Sequence, residues 1–371
     1  MGQTKEPMPQ ASSRHKRRHT ARPEPHLCEA EVVEGLEAFV RQELIARFGG
    51  HVRLRRVPGE YAGRGAVSFY YTGSLRDLLG LQTVQAVYLV RRFDIPRPRA
   101  LLGDEHLRAL LRDIERVRRL AAPDAYQTLY LSAAGAESTV MTRIKEALAR
   151  HTGLQATSQE GDLLLRVRHP PERPTQWEVL TRLSPRPLAT RPWRVCNLEG
   201  ALNATVAHAM ALLTQPGPRD IFLNIACGSG SLLIERLACA PVRVAMGFDT
   251  SLQALACAQA NAQASGYATH IALGQGDGRS LPLPAASVDA LCADLPFGHL
   301  VGSHAENLAL YPLILREAAR VAREGALFAL ISHEVRLMAS LLEASTAWHT
   351  EETLRITLGG LHPRIFLLRR R

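Results

Sequence analysis

The stretch IFLNIACGSGSLLIERLACA (221–240) decides the fold that this sequence predicts. Residues 221–225 form an apolar run typical of a buried strand, and the residues from 231 onward have the spacing of a helix. Between them, Gly228 and Gly230 would let the backbone approach a ligand closely at the carboxyl end of the strand. Open α/β sheets bind cofactors at that position, so the stretch predicts the first strand, turn and helix of a cofactor-binding sheet.

The sequence that follows continues the same pattern. From about residue 197, short apolar strands alternate with helical stretches, which predicts parallel βαβ units with helices on both faces of a sheet. The segments HTEETLRITLGG (349–360) and LHPRIFLLRRR (361–371) read as two strands joined at Gly359 and Gly360, which predicts a hairpin on the sheet edge. We therefore expect residues 191–371 to form an α/β, Rossmann-like domain with a C-terminal antiparallel hairpin.

Three aspartates follow predicted strands of this domain. Asp249 lies about twenty residues after the glycine turn, where a carboxylate can accept hydrogen bonds from ribose hydroxyls. Asp277 follows the next strand and can accept from an adenine amino group, and Asp294 ends the fourth. Each aspartate alone is typical of a turn or a helix cap, but together they predict a nucleoside cofactor. A dinucleotide fingerprint would need glycine where Leu233 stands, so S-adenosylmethionine fits better than NAD.

The segment VDALCADLPFGH (288–299) puts an acid, a proline and an aromatic ring together at the end of the fourth strand. Asp294 and the backbone carbonyl of Leu295 or Pro296 can accept hydrogen bonds from an exocyclic amine. Two such acceptors orient the nitrogen lone pair toward a methyl donor and stabilise the positive charge that develops. Phe297 can stack on the base. The structural alternative is a turn in which Asp294 caps and Phe297 packs.

The first half of the chain carries the whole net charge of +10. Residues 1–200 hold 32 Lys and Arg against 22 Asp and Glu, whereas residues 201–371 hold 13 of each. A basic surface attracts polyanions, and nucleic acid is the commonest one, although a solvated soluble surface would have the same composition.

The six cysteines form no CxxC pair, and several lie in apolar runs, so we expect reduced core thiols with neither a disulfide framework nor a metal site. No apolar run is long enough to cross a membrane, and the N-terminal residues lack the apolar segment of a secretory signal. These features predict a cytoplasmic protein.

Upstream of the α/β domain the pattern predicts a polar, basic, disordered tail (1–26) and two α+β modules (27–98 and 99–190). In the first module we expect a helix over residues 28–49, a strand over 65–73, and then a helix leading into another strand by Pro98. In the second module we expect a helix near 104–120, a strand over 125–135, a helix from Ser138 to Gly153 and strands over 161–170 and 177–184. Four basic side chains of this module are candidate RNA contacts: Arg143, Lys145, Arg150 and Arg168.

Four motifs together resemble the catalytic domain of the THUMP-domain RNA methyltransferases, particularly those that make N2-methylguanosine in tRNA. They are ACGSGSLLIE (226–235), DLPFG (294–298), NLALYPLILREAARV (307–321) and LGGLHPRIFLLRR (358–370). The likeness covers roughly residues 28–371 and is weaker in the first part. There, STVMTRIKEALARHTGL (138–154) and EGDLLLRVRHP (160–170) resemble the THUMP helix and strand, preceded by a ferredoxin-like module.

The resemblance implies a class I methyltransferase sheet, S-adenosylmethionine as cofactor and tRNA as partner. It also implies that Asp294 and the Pro296 region hold the target amine and that Phe297 stacks on the base. The cofactor-binding positions that it implies are Asn203, Thr205, Asn224, Ala226, Cys227, Gly228, Gly230, Asp249, Asp277 and Gly278. The sequence departs from the family at Asn224, where an acid is usual, and at Leu295, which replaces a proline.

Three alternatives to the methylation of an RNA guanine remain open. A DNA adenine or a protein glutamine presents a similar amine or amide, although the basic first half argues against a protein substrate. A noncatalytic RNA-binding scaffold with a degenerate pocket would explain Asn224, and a dehydrogenase is the most distant reading.

Overall fold

The computed structural model describes residues 24–55, 65–170, 172–173, 175–296 and 303–371. Their strands form two sheets, which we call the front sheet (strands within 26–182) and the rear sheet (strands within 221–370). Of the predicted N-terminal tail, residues 1–23 lie outside the described residues, and the first strand begins at His26.

The front sheet has eight strands and three α-helices. In chain order they are β1 His26–Glu31, α1 Glu37–Phe48, β2 Val52–Leu54, β3 Ala66–Tyr71, β4 Ala86–Phe93, α2 Asp104–Arg118, β5 Thr128–Ala133, α3 Thr139–Thr152, β6 Gln155–Ala156, β7 Leu163–Arg168 and β8 Trp177–Arg182. The strand order is β2-β3-β1-β4-β8-β7-β5-β6. Because β4 pairs antiparallel with β8, residues 27–98 and 99–190 contribute to one continuous sheet.

The rear sheet has seven strands and is flanked by five helices. They are α4 Ala204–Leu213, β9 Ile221–Ile225, α5 Ser231–Cys239, β10 Val244–Asp249, α6 Leu252–Ser265, β11 Ile271–Gln275, β12 Val288–Asp294, α7 His304–Val321, β13 Ala322–Ser332, α8 Val335–Glu343, β14 Trp348–Arg355 and β15 Arg364–Arg370. The strand order is β11-β10-β9-β12-β13-β15-β14. Strands β9 to β13 pair in parallel and β15 is antiparallel to both of its neighbours, which confirms the predicted parallel sheet with a terminal hairpin.

Two predictions for the front sheet are wrong. The helix expected from Cys28 begins only at Glu37, because the residues before it form β1. Cys28 and Ala30 are fully buried, and β1 pairs with both β3 and β4, so a central strand replaces the first turns of the predicted helix. The helix expected before β4 is reduced to one short 3-10 turn at Asp77–Gly80.

The predicted elements around α3 are confirmed. Ser138 caps the helix by accepting a hydrogen bond from the Met141 amide, and Gly153 ends it with a φ of 71°. A left-handed residue of this kind favours glycine, because it has no Cβ to clash with the preceding turn. The apolar face of α3 packs on the front sheet, which leaves Arg143 and Arg150 exposed.

The two sheets are joined by buried contacts. The largest hydrophobic cluster runs from the helix-covered face of the front sheet to one face of the rear sheet. Arg191 crosses this boundary: its Nη2 donates to the Gln82 carbonyl at 2.6 Å, and its Nε donates to Glu235 on α5 at 2.8 Å. These contacts hold the start of the segment that leads to α4 against α5 of the rear sheet.

Candidate functional site

The site is built at the carboxyl edge of the rear sheet, around the end of β9. Ile225 of β9 pairs with Phe248 of β10 on one side and with Ala293 of β12 on the other. The next residue of each neighbouring strand is an aspartate, so Asp249 and Asp294 flank the turn that follows β9. The structure therefore brings together the glycine turn and two of the three predicted acids.

The glycine turn has a left-handed backbone conformation at three residues. Ala226, Gly228 and Gly230 all have positive φ, of 51°, 52° and 80°. A Cβ added at Gly228 would meet nothing within 4 Å, whereas one at Gly230 would lie 3.2 Å from the Ala258 side chain on α6. Gly228 thus leaves space for a ligand, and Gly230 serves the packing of the turn on α6. Burial raises the pKa of the adjacent Cys227 thiol to about 12, so it is not a reactive thiolate.

Asp249 is tied to the glycine turn. The Gly228 amide donates to Asp249 Oδ2 and the Ser251 amide donates to Asp249 Oδ1, both at 2.9 Å. A carboxylate has about four lone-pair sites, so both oxygens can still accept from a ligand.

Asn224 lies at the bottom of the site on β9 and is fully buried. Its Nδ2 donates to the Cys292 carbonyl at 3.2 Å, but its Oδ1 has no partner among the described residues. A buried acceptor without a donor is uncommon and costs about 1–3 kcal/mol. Asn224, which stands where the family usually has an acid, therefore still offers an acceptor through its Oδ1 atom. The residues around the turn thus fit a ligand that brings hydrogen-bond donors.

Four other predicted cofactor positions make local contacts. Asn203 caps α4 and accepts from both the amide and the hydroxyl of Thr205, so these two side chains satisfy each other. Asp277, two residues beyond β11, accepts from the Arg279 guanidinium through both oxygens at 2.6–3.0 Å, and this pairing lowers the Asp277 pKa. A Cβ on the following Gly278 would lie 2.8 Å from Ile225, so that glycine allows close packing on β9.

Asp294 differs from both of the other acids. Its carboxylate accepts no hydrogen bond from any residue that the structure describes, and burial raises its pKa to about 7. The amide of the next residue, Leu295, donates to the Ile331 carbonyl at 3.2 Å, while its own carbonyl receives no donor within the described ranges. Phe297 lies outside the described residues.

Pro296 is held by two residues that sequence reasoning missed. Asn307 Nδ2 and Tyr311 Oη, both from α7, donate to its carbonyl at 3.1 and 2.7 Å. Both side chains are fully buried. The available signal was their spacing of four residues on a mostly apolar helix, which puts two polar groups on one buried face.

A disulfide contradicts the expectation of reduced thiols. Cys196, in the segment before α4, is bonded to Cys257 on α6, with their Cα atoms 5.4 Å apart. Asn261 brings them together, because its side chain both accepts from the Cys196 amide and donates to the Cys196 carbonyl at 2.9 Å. The two cysteines are 61 positions apart in the sequence, which gave no local spacing to recognise. The other four cysteines are free.

The four candidate RNA contacts fall on two sides of the front sheet. Arg143 and Arg150 are exposed on α3 and make no ion pair with a described residue, whereas Lys145 donates to the Thr157 carbonyl at 3.4 Å. Arg168 lies on the opposite face of the sheet and pairs with Glu29 at 2.6 Å and Glu178 at 2.8 Å. Of these four side chains, Arg143 and Arg150 are therefore exposed and have no partner among the described residues.

The described residues contain neither a candidate metal site nor a candidate membrane span. No group of three or more His, Cys, Asp or Glu side chains is arranged to hold a metal ion. Among the same residues, no helix has the length and apolar character needed to span a membrane.

The rear part of the chain is similar to known methyltransferases. Residues 191–364 match the family model described as UPF0020, RMKL-like, methyltransferase domain. The chain is 31% identical over 182 residues to the mouse (Mus musculus) tRNA (guanine(6)-N(2))-methyltransferase THUMP3, covering 46% of this chain and 36% of that protein. It is 33% identical over 135 residues to the bovine (Bos taurus) U6 snRNA (guanine-N(2))-methyltransferase THUMPD2, covering 36% of this chain and 26% of the relative. The chain thus spans 36% and 26% of the length of these two curated relatives.

A solved structure resembles nearly the whole chain. The crystal structure of TrmN from Thermus thermophilus is 25% identical, with a TM-score of 0.72 over 93% of this chain and 100% of that one. This similarity, with the strand order of the rear sheet, confirms the predicted Rossmann-like class I methyltransferase fold. Residues 191–364 are therefore similar to the UPF0020, RMKL-like methyltransferase domain.

Proposed function

We propose that the protein transfers a methyl group from S-adenosylmethionine to an exocyclic amine of a base in RNA, with N2 of a guanosine in tRNA as the leading target. The observation that carries the proposal is the pair of free acceptors at the end of β12. The Asp294 carboxylate and the Leu295 carbonyl have no donor among the described residues, and they lie beside the glycine turn. The similarity to guanine-N2 methyltransferases of tRNA and U6 snRNA supports an RNA substrate.

The cofactor would lie along the edge from β9 to β11. In this proposal Asn203 and Thr205 border the cofactor where α4 begins, and Ala226 to Gly230 pass close to its methionine part. Asp249 accepts from its ribose, and Asp277 and Gly278 border its adenine. When bound, its sulfonium supplies an electrophilic methyl group and leaves as a neutral thioether.

The chain's own contribution to transfer is orientation and charge. An exocyclic amine is planar and a poor nucleophile because its lone pair is conjugated with the ring. Two acceptors aimed at its two hydrogens turn the lone pair toward the methyl group, and the carboxylate stabilises the positive charge that forms on nitrogen. With a pKa raised to about 7, Asp294 is also suited to take the proton that the nitrogen must lose after the new bond forms. Phe297 would stack on the base.

RNA binding is assigned to the front sheet. Exposed Arg143 and Arg150 on α3 would contact phosphates. Lys145 would need to release the Thr157 carbonyl, and Arg168 would need to exchange an acidic partner for RNA. The division into a ferredoxin-like module (27–98), a THUMP-like module (99–190) and a methyltransferase domain (191–371), and the cytoplasmic location, belong to the same proposal.

The decisive experiment replaces Asp294 and measures binding and turnover separately. Asp294→Ala should reduce methyl transfer to tRNA transcripts by about 10²–10³-fold, because the charge-stabilising acceptor is lost, while S-adenosylmethionine affinity changes little. Turnover equal to wild type in this variant would refute the assigned role. Mapping N2-methylguanosine in tRNA and snRNA from cells with and without the gene would identify the target. A wild-type protein that binds no S-adenosylmethionine would favour the noncatalytic scaffold instead.

A further inference from the structure

The carbonyl of Pro296 is fully occupied inside the protein. It accepts from Asn307 Nδ2 at 3.1 Å and from Tyr311 Oη at 2.7 Å, and a carbonyl oxygen has two lone pairs. Pro296 therefore offers no acceptor to a substrate, which leaves the Asp294 carboxylate and the Leu295 carbonyl at this end of the strand.

The hydrogen bonds around Tyr311 have only one consistent direction. Because a carbonyl can only accept, the Tyr311 hydroxyl must donate to Pro296. The Ser332 hydroxyl lies 2.8 Å from Tyr311 Oη and must then donate to it, while Ser332 itself accepts from the Glu334 amide at 2.9 Å. Burial raises the pKa of Tyr311 to about 12, so its hydroxyl remains a donor. This chain connects the end of β12 to the end of β13.

Asn307 is bound less completely than Tyr311. Its Oδ1 is buried and has no partner among the described residues, so only its Nδ2 group makes a contact that explains an amide at this position. A leucine of similar size would remove the unpaired acceptor, and the Pro296 carbonyl would keep its donor from Tyr311, so we expect only a small effect on stability. The cost of keeping an amide here suggests a purpose beyond packing.

We propose that Asn307 and Tyr311 are positioning residues that clamp the Pro296 carbonyl and so aim the Asp294 carboxylate and the Leu295 carbonyl at the two hydrogens of one amino group. This inference rests on the proposed function. Pro296 directly follows Leu295 and lies two residues after Asp294, so the clamp acts on the backbone next to both acceptors. Releasing it would rotate the Leu295 peptide without removing any group that touches the substrate. Two fixed acceptors select a base with an NH2 group over one that presents an oxygen or a single N–H at the same place.

The test compares two variants of the full-length protein with tRNA transcripts and S-adenosylmethionine. Tyr311→Phe and Asn307→Leu should each lower kcat about tenfold, because misplacing reacting groups is costly, while the KM for tRNA and the Kd of S-adenosylmethionine stay within about twofold. Tyr267→Phe is the matched control for a lost hydroxyl, because Tyr267 lies before β11 at the opposite edge of the sheet, and it should retain full kcat.

A purely structural role would give a different pattern. In that case Tyr311→Phe would lower the thermal midpoint, and kcat would equal that of wild type at temperatures where the variant is folded. If Tyr311→Phe does not fold, Asn307→Leu still tests the clamp, because we expect the Asn307→Leu variant to lose kcat while it retains its stability. Full kcat in Asn307→Leu would overturn the clamp.

Failure of the clamp and failure of the proposed function give distinct results. If wild type methylates tRNA, Asp294→Ala does not and both α7 variants turn over at the wild-type rate, only the clamp is refuted. If wild type transfers no methyl group to RNA, or Asp294→Ala retains its rate, the proposed function itself is wrong.

Discussion

The ends of β10 and β12 flank the same strand, and each carries an aspartate, yet the two carboxylates are used in opposite ways. Asp249 accepts two backbone amide hydrogens at 2.9 Å, one of them from Gly228 in the glycine turn. Asp294 accepts none from any described residue, and burial raises its pKa to about 7. One carboxylate is part of the folded scaffold, and the other is left free at an energetic cost.

This difference shows how a sheet edge separates cofactor binding from catalysis. A carboxylate that already holds its own loop is rigid before the ligand arrives, which suits a group that binds a ribose. A carboxylate with raised pKa and free lone pairs gains its partners only from a substrate, which suits a group that stabilises charge in a transition state. Substitutions at the two ends should therefore affect different measured quantities.

The largest effect on cofactor affinity is expected from Asp249→Ala. The variant loses the ribose acceptor and leaves the Gly228 amide unpaired, so S-adenosylmethionine should bind about 100-fold more weakly, measured by calorimetry. Asp289→Ala is the matched control, because Asp289 also accepts a backbone amide, that of Ile221 at 2.8 Å, but at the amino end of β12. Equal affinities in the two variants would mean that Asp249 has only a structural role.

The next effect is a pH dependence that belongs to Asp294 alone. Transfer requires the ionised carboxylate, so kcat should rise about tenfold per pH unit up to about pH 7 and then level off. Stability should change in the opposite direction. The ordinary pKa is 3.8, so between about pH 4 and 7 the folded protein retains a proton that the unfolded chain has lost, and the free energy of unfolding falls as the pH rises.

Two variants test whether this pH dependence belongs to Asp294 or to a neighbouring histidine. Asp294→Asn should remove the fall in the free energy of unfolding between about pH 4 and 7 that is due to Asp294. Denaturant unfolding at several pH values measures this change. His304 pairs with Glu334, which lies just after β13, at 2.9 Å. His304→Gln should leave the kcat profile intact, and a profile that disappears in His304→Gln would assign the pH dependence to the histidine instead.

The sequence predicted the rear sheet better than the front one for a physical reason. In βαβ units the strand, the turn and the next helix are close in the chain, so the glycine turn, Asp249 and Asp294 could be assigned from local pattern alone. β1 could not, because Val32, Val33 and Leu36 after it share helical spacing with α1, and its two partner strands lie far along the chain.

The missed features of the site depend on contacts that leave no pattern in the sequence. Asn307 and Tyr311 contact a backbone carbonyl, and a backbone acceptor is the same at every position. The Cys196–Cys257 disulfide depends on Asn261 placing a segment without regular structure against α6. Arg279 lies two residues from Asp277, but the turn that lets its guanidinium reach both carboxylate oxygens is set by tertiary structure.

The smallest expected effect concerns Asp277, the third acid, and tests the difference between bound and free carboxylates. Arg279→Ala frees the Asp277 oxygens at an exposed position, where ion pairs contribute little. S-adenosylmethionine affinity should therefore rise by only about twofold if Asp277 accepts from the adenine amine. Arg243→Ala, an exposed arginine just before β10 at the opposite edge of the sheet, should leave affinity unchanged. A clear loss of affinity in Arg279→Ala would show that the guanidinium, rather than Asp277, contacts the cofactor, and that the third strand end presents a cation where the other two present acids.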